Sequence, residues 1–199
     1  MRKDNSTLAR KVALRREVLK YIPRPVVVET HGGMGAVGRA CYSGIAGGVV
    51  FEKDPARAEL LAHDRPTWAV YEADVERSLA TGAGAHVEAT LLDVDPWGSS
   101  LPTIAAFFAS ERERAKELWL VVNDGARMKC RIGAAWTFAA MRPAVEKFGN
   151  DLFDRYLEAM RFLVGGEARR EGYELRRWHG YYCGGFSNMT HFAACFVRD

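Results

Sequence analysis

The sequence predicts an α/β fold, a mostly parallel sheet with helices on both faces, and three features carry that prediction. Short apolar runs alternate with helix-patterned segments five times between Val26 and Val122. The first run, Val26-Val27-Val28, is β-branched throughout, as expected of a strand buried on both faces. It opens into a glycine-dense turn, Thr30-His31-Gly32-Gly33-Met34-Gly35, ahead of the next apolar-periodic segment. Such alternation needs right-handed crossovers, which gather the ligand-binding loops at the carboxyl ends of the strands.

In chain order, Ser6 is placed to cap a helix running to about Tyr21. Leu8, Val12, Leu14, Val18 and Leu19 form its apolar stripe, with basic residues on the other side. Pro23 and Pro25 end it. A strand is expected over 26–29 and a helix over about 35–45; Gly47-Gly48 then turns the chain into a strand over 49–52. Pro55 opens a helix through Leu61. Strands follow at 67–72 and 87–92, separated by a short helix around 76–80 and the loop Gly82-Ala83-Gly84. A helix over about 102–116 precedes a strand at 118–122. Residues 126–142 leave a helix and a basic loop both open. A long helix over 144–164 is ended by Gly165-Gly166. Runs at 173–182 and 189–197, joined by residues 184–188, read as an antiparallel hairpin.

A chain of 199 residues that is 48% hydrophobic and 27% charged can bury the core of one globular domain. The expected division is a basic N-terminal helix over 1–24 and a single domain over 25–199. No apolar run approaches the roughly 20 residues of a membrane span, and no signal-peptide pattern is present, so a cytoplasmic protein away from membranes is expected. Cys41, Cys130, Cys183 and Cys195 are scattered without metal-ligand spacing, so free thiols and no metal are expected. The net charge of +3 conceals an asymmetry: residues 1–24 carry +6, which leaves −3 on the rest. This arm is either a solvated helix face or a contact for a polyanion.

Polar residues cluster where the strands end. Glu29, Glu52, Asp74 and the Asp93/Asp95 pair close strands one to four, so four acid-bearing tips should converge on one crevice. Residues Gly33 to Gly38 spell GxGxxG, with Glu52 available as a ribose-binding acid, which is the pattern of a nicotinamide-dependent oxidoreductase. Glu29 opposes that reading, since a carboxylate beside a pyrophosphate is repulsive. It suits a ligand carrying an ammonium group, such as S-adenosylmethionine.

From about residue 25 to 199 the chain resembles the class I S-adenosylmethionine-dependent methyltransferases, whose Rossmann-like seven-stranded sheet ends in an antiparallel hairpin. The resemblance implies that Glu29, His31, Gly32, Gly33 and Gly35 surround the methionine part of the cofactor, with His31 standing where the family usually has glycine. It also implies that Glu52 holds the ribose hydroxyls and that Asp74 faces the adenine amino group. Asp93, two residues before Asp95 and pointing the same way along the extended chain, either helps orient the site or serves as a cap. Asp95-Pro96-Trp97-Gly98 resembles the fourth motif of the amino-methylating branch, particularly that of transfer RNA guanine-N2 dimethyltransferases. An exocyclic amino group is a poor nucleophile while its lone pair is delocalised into the ring. Asp95 and the Pro96 carbonyl, by accepting its two hydrogens, would localise that pair, and Trp97 would stack on the base.

The implied activity is methyl transfer to an exocyclic nitrogen of a nucleic-acid base, RNA rather than DNA. The basic arm and the loop Asn123-Asp124-Gly125 with Arg127, Lys129 and Arg131 are the phosphate contacts. Two alternatives stand beside it: an NAD(P)-dependent oxidoreductase, and a non-catalytic nucleic-acid-binding module with a degenerate pocket. Trp178, Tyr181 and Tyr182, although interleaved with Arg176, Arg177 and His179, are expected in the core. Oligomeric state is not legible in the sequence.

Overall fold

The computed structural model describes residues 7–133, 138–185 and 188–199. Seven strands form one sheet in the order β3-β2-β1-β4-β5-β7-β6. Strands β1 (Val27–Glu29), β2 (Gly48–Glu52), β3 (Ala69–Glu72), β4 (Ala89–Val94) and β5 (Arg114–Asp124) run parallel. The terminal hairpin, β6 (Glu174–Cys183) and β7 (Met189–Val197), joins through β7 antiparallel to β5. The strand order reverses between β1 and β4, and in open α/β sheets a ligand crevice forms at that point.

Period-two alternation divides the buried strand residues between two helical layers. Val27, Val50, Leu91, Val121 and Ala193 face α1 (Leu8–Leu19), α2 (Ala36–Cys41) and α3 (Pro55–Asp64). Val28, Val49, Leu92, Val122 and Phe192 face α4 (Val75–Ala80), α5 (Leu101–Ala109), α7 (Arg142–Phe148) and α8 (Tyr156–Arg170). Short α6 (Arg127–Arg131) follows β5.

Several boundaries differ from the sequence reading. The helix expected over 35–45 is only six residues long. That expected over 102–116 stops at Ala109, because Arg114 Nη2 donates to the carbonyls of Phe107, Phe108 and Ser110 at 2.7, 2.7 and 2.6 Å. Residues from Arg114 onward are thereby released to extend β5, pairing with β4 at Arg114 and with β7 from Glu117. The helix expected over 144–164 is broken: Gly149, at φ 52°, leads a 3-10 turn through Leu152 before α8 begins. Gly165 and Gly166 lie inside α8, which ends instead at Gly172 (φ 77°), with the amides of Gly172 and Tyr173 bonded back to Arg169 and Ala168. Ser6, the expected cap of α1, and Phe186 and Ser187 of the hairpin connection lie outside the described residues. No helix among the described residues is long and apolar enough to cross a membrane.

Candidate active site

The glycine turn after β1 is stitched to the tip of β2. Gly33 and Gly35 adopt left-handed conformations (φ 53° and 72°) that other residues resist. The Gly33 amide donates to Glu52 Oε2 at 2.7 Å and the Asp54 amide to Oε1 at 3.0 Å. A Cβ added at Gly33 would meet nothing within 4 Å, whereas one at Gly32 would strike Leu61 and Val50. The turn therefore packs down at Gly32 and is open at Gly33. Each Glu52 oxygen keeps a second lone pair for a ligand. Asp74, exposed beyond β3, caps α4 by accepting from the Arg77 amide at 3.1 Å.

His31 sits among these acids. Its Nδ1 lies 2.8 Å from Thr30 Oγ1, whose hydroxyl donates to the Asp93 carbonyl at 3.0 Å, so Nδ1 carries the proton and Nε2 the lone pair. Burial lowers the His31 pKa, outweighing the upward pull of Asp95, Glu52, Asp93 and Asp74.

Glu29 and Asp93 correct the expectation that every acid faces the crevice. Glu29 is buried and ion-paired with Arg65, which follows α3; burial raises its carboxyl pKa despite that partner. The Arg65 guanidinium occupies the space where Gly38 lacks a side chain, 1.5 Å from a Cβ built there. Asp93, 1% exposed, accepts from Arg15 Nε at 2.7 Å and from the Tyr42 hydroxyl at 2.5 Å, with a second Arg15 N–H on its other oxygen. As placed, both acids hold helices to the sheet.

Asp95 lies just beyond β4. The Lys11 ammonium donates to both its oxygens, at 2.6 and 2.7 Å. Burial pushes its pKa up, but Arg15, Lys11 and Asn123 together hold it below the usual carboxylate range. Two residues on, Trp97 is 95% exposed, unlike any other tryptophan among the described residues. The loop that carries it is anchored rather than loose. The Gly125 amide donates to the Gly98 carbonyl at 2.8 Å, and Ser100 donates through its amide and hydroxyl to Asp124 Oδ2 at 2.7 and 2.9 Å. Asp124 also accepts from the Ala126 amide and the Tyr156 hydroxyl, so this buried carboxylate ties the β4 and β5 loops together.

The N-terminal helix is the largest departure from the sequence reading. Its basic residues do not all lie opposite its apolar stripe: Arg15 is fully buried on Asp93, and Lys11 reaches Asp95. Among the described residues of the arm, Arg10, Arg16, Lys20 and Arg24 are exposed. Arg127 likewise turns inward, between the rings of Phe153 and Tyr182, leaving Lys129 and Arg131 exposed in α6. Trp178 stacks on Phe192 and Tyr182 packs on the core, as expected. Sequence reasoning missed Tyr42 and Arg65, and placed Lys11, Arg15 and Asp124 in the basic arm and the loop after β5 without their inward contacts. The one available signal was that Lys11 and Arg15 are four apart, hence on one helix face beside Leu8 and Leu14.

The sheet order and its antiparallel terminal hairpin are those of the class I S-adenosylmethionine-dependent methyltransferase fold. No family model and no curated protein sequence matches the chain. Among solved structures it is similar to Trm1 from Pyrococcus horikoshii bound to S-adenosyl-L-methionine, with a TM-score of 0.72 and 12% identity, over 100% of this chain and 56% of that one. The chain thus spans just over half the length of that relative. It is also similar to the N-methyltransferase NodS of Bradyrhizobium japonicum (TM-score 0.63, 11% identity, 100% of both chains). A third is PH1948 of Pyrococcus horikoshii, a candidate RNA methyltransferase (TM-score 0.54, 12% identity, 99% of this chain and 86% of that one).

Proposed function

We propose that this chain is an S-adenosylmethionine-dependent methyltransferase acting on an exocyclic amino nitrogen of a nucleic-acid base, RNA in preference to DNA. One observation carries the reading: Asp95, already engaged by a nitrogen donor with two N–H bonds, lies two residues from a fully exposed tryptophan on an anchored loop. An acceptor for amino hydrogens beside a bare aromatic face is what a flipped base requires. The relatives bound to or named for methyl transfer support the class, and PH1948 supports RNA.

The residues present fit the cofactor. Open Gly33, Glu52 with free lone pairs, exposed Asp74 and neutral His31 make an anionic crevice suited to a ligand with ammonium and sulfonium charges. Glu52 would hold the ribose hydroxyls and Asp74 the adenine amino group, with His31, Gly32, Gly33 and Gly35 around the methionine part. Glu29 and Asp93 would act on the pocket through Arg65 and Arg15. When bound, S-adenosylmethionine supplies an already activated methyl group, so the chain's task is positioning. Asp95 and the Pro96 carbonyl accept the amino hydrogens, and Trp97 holds the ring. The exposed Arg10, Arg16, Lys20 and Arg24 supply the phosphate contacts.

Calorimetric titration with S-adenosylhomocysteine and, separately, NADH tests the cofactor. The first should bind and the second should not, and Asp95→Ala should retain that binding while losing at least a hundredfold in methyl transfer. NADH binding alone would overturn the reading. Salt-sensitive RNA binding that survives Asp95→Ala, with no methyl transfer by the unaltered protein, would mark a non-catalytic module.

A further inference from the structure

Past Asp95 the sheet carries a row of buried polar side chains. Val94 pairs with Val122, so Asp95 comes beside Asn123 on β5. Asn123 pairs with His191 on β7, and His191 with Tyr181 on β6. Side chains of Val121 and Ala193, two residues away in each strand, face the α1 layer, so Asn123 and His191 face it too. Both are 0% exposed. Neither the nitrogen nor the oxygen of the Asn123 amide has a hydrogen-bond partner of good geometry, although the amide lies near enough to Asp95 to help lower its pKa. The His191 Nδ1 is also without a partner, while its Nε2 lies 3.3 Å from Cys183 Sγ.

Buried polar groups without partners are uncommon and costly in a folded protein, and three such atoms in neighbouring residues beside a candidate catalytic acid call for a ligand. We propose that Asn123 and His191 are specificity-determining residues, hydrogen-bonding the ring edge of an amino-substituted nitrogen heterocycle next to the amino group that Asp95 holds. This rests on the function proposed above. Amino groups of nucleic-acid bases are flanked by a ring nitrogen, so a side chain one strand along from the amino acceptor meets that edge. A carboxamide suits the task because it offers both a donor and an acceptor. Burial and the nearby cations Arg15 and Lys11 lower the His191 pKa to about 4, so the ring is neutral at physiological pH and adds no charge beside the base. Helix α1 roofs the row, through Lys11 on Asp95 and the Arg10 carbonyl, which accepts from the Tyr181 hydroxyl at 3.1 Å. The ring must therefore enter where the Lys11 ammonium now sits.

The test compares unaltered protein with Asn123→Leu, close to isosteric, and His191→Phe. Three readouts are taken: calorimetry with S-adenosylhomocysteine, methyl transfer to RNA oligonucleotides that each offer one amino base, and thermal melting. Both variants should bind S-adenosylhomocysteine as the unaltered protein does, raise KM for RNA at least tenfold, and weaken the preference among bases. Asn123→Leu should also melt about 2–4 °C higher, since an unsatisfied buried group has been removed. Unchanged KM and base preference in an active enzyme would overturn this inference alone. So would a lower melting point of Asn123→Leu with transfer intact, which would make the amide a structural group. Absence of transfer by the unaltered protein to any RNA would overturn the function proposed above, and this inference with it.

Discussion

At the scale of single residues, the buried ion pairs decide which acids remain available for chemistry. Arg15 and Asp93 are 0% and 1% exposed. Breaking such a pair leaves an uncompensated charge in a medium that cannot solvate it. Arg15→Met is expected to lower stability by about 3–5 kcal/mol, read from denaturant unfolding. His191 links stability to pH. Its pKa is about 4 in the folded protein against 6.5 for the free side chain. The unfolded chain therefore takes up a proton first as pH falls, and the stabilisation present above 6.5 is lost progressively towards 4. Burial raises the Glu29 pKa to about 7 from the usual 4.5, so proton uptake there acts in the opposite sense between those two values, in the unaltered protein and the variant alike. The difference in unfolding free energy between His191→Phe and the unaltered protein, followed from pH 7 to 4, should move in the variant's favour on acidification; parallel curves would contradict the assignment.

At the scale of elements, helix α1 proves to be more than an electrostatic arm. Leu14 and Val18 seat it on the sheet, Arg15 locks it to Asp93, and Lys11 occupies Asp95, the acceptor proposed for the target amino group. Lys11→Ala should therefore lower the KM for RNA by about fivefold, the worth of one partly exposed ion pair. A rise in KM would show instead that Lys11 holds phosphate. The inward turn of these two cations was not legible, because a charged residue on an amphipathic helix is normally solvated and only the acids beneath it reverse that. The break at Gly149 was equally hidden, since the apolar pattern continues through it. The end of α5 depends on Arg114, which is close in sequence to the helix but acts from the following strand.

At the scale of the whole molecule, the fold was legible because strand burial is written locally. Residues such as Val27-Val28 and Leu91-Leu92 supply one side chain to each helical layer, and turn residues separate the strands. The placement of the candidate site residues was legible in part: Glu52 ends β2, and Asp74 and Asp95 lie just beyond β3 and β4, at one end of the sheet. What lay beyond the sequence were the partners of the acids, which come from 36 residues away for Glu29 and 78 for Asp93. These pairings divide the strand-tip carboxylates into two buried on arginines that hold helices to the sheet, one held by Lys11, and two, Glu52 and Asp74, bonded among the described residues only to backbone amides.

The central claim is methyl transfer to a base amino nitrogen, and one measurement reaches it directly. The protein is incubated with methyl-labelled S-adenosylmethionine and transfer RNA, ribosomal RNA or DNA, and the nucleic acid is digested to nucleosides that are separated by mass. The account predicts label on an exocyclic amino nitrogen of an RNA nucleoside, abolished by Asp95→Ala. Label on a ring carbon or a ribose, or none in any of the three, would contradict it.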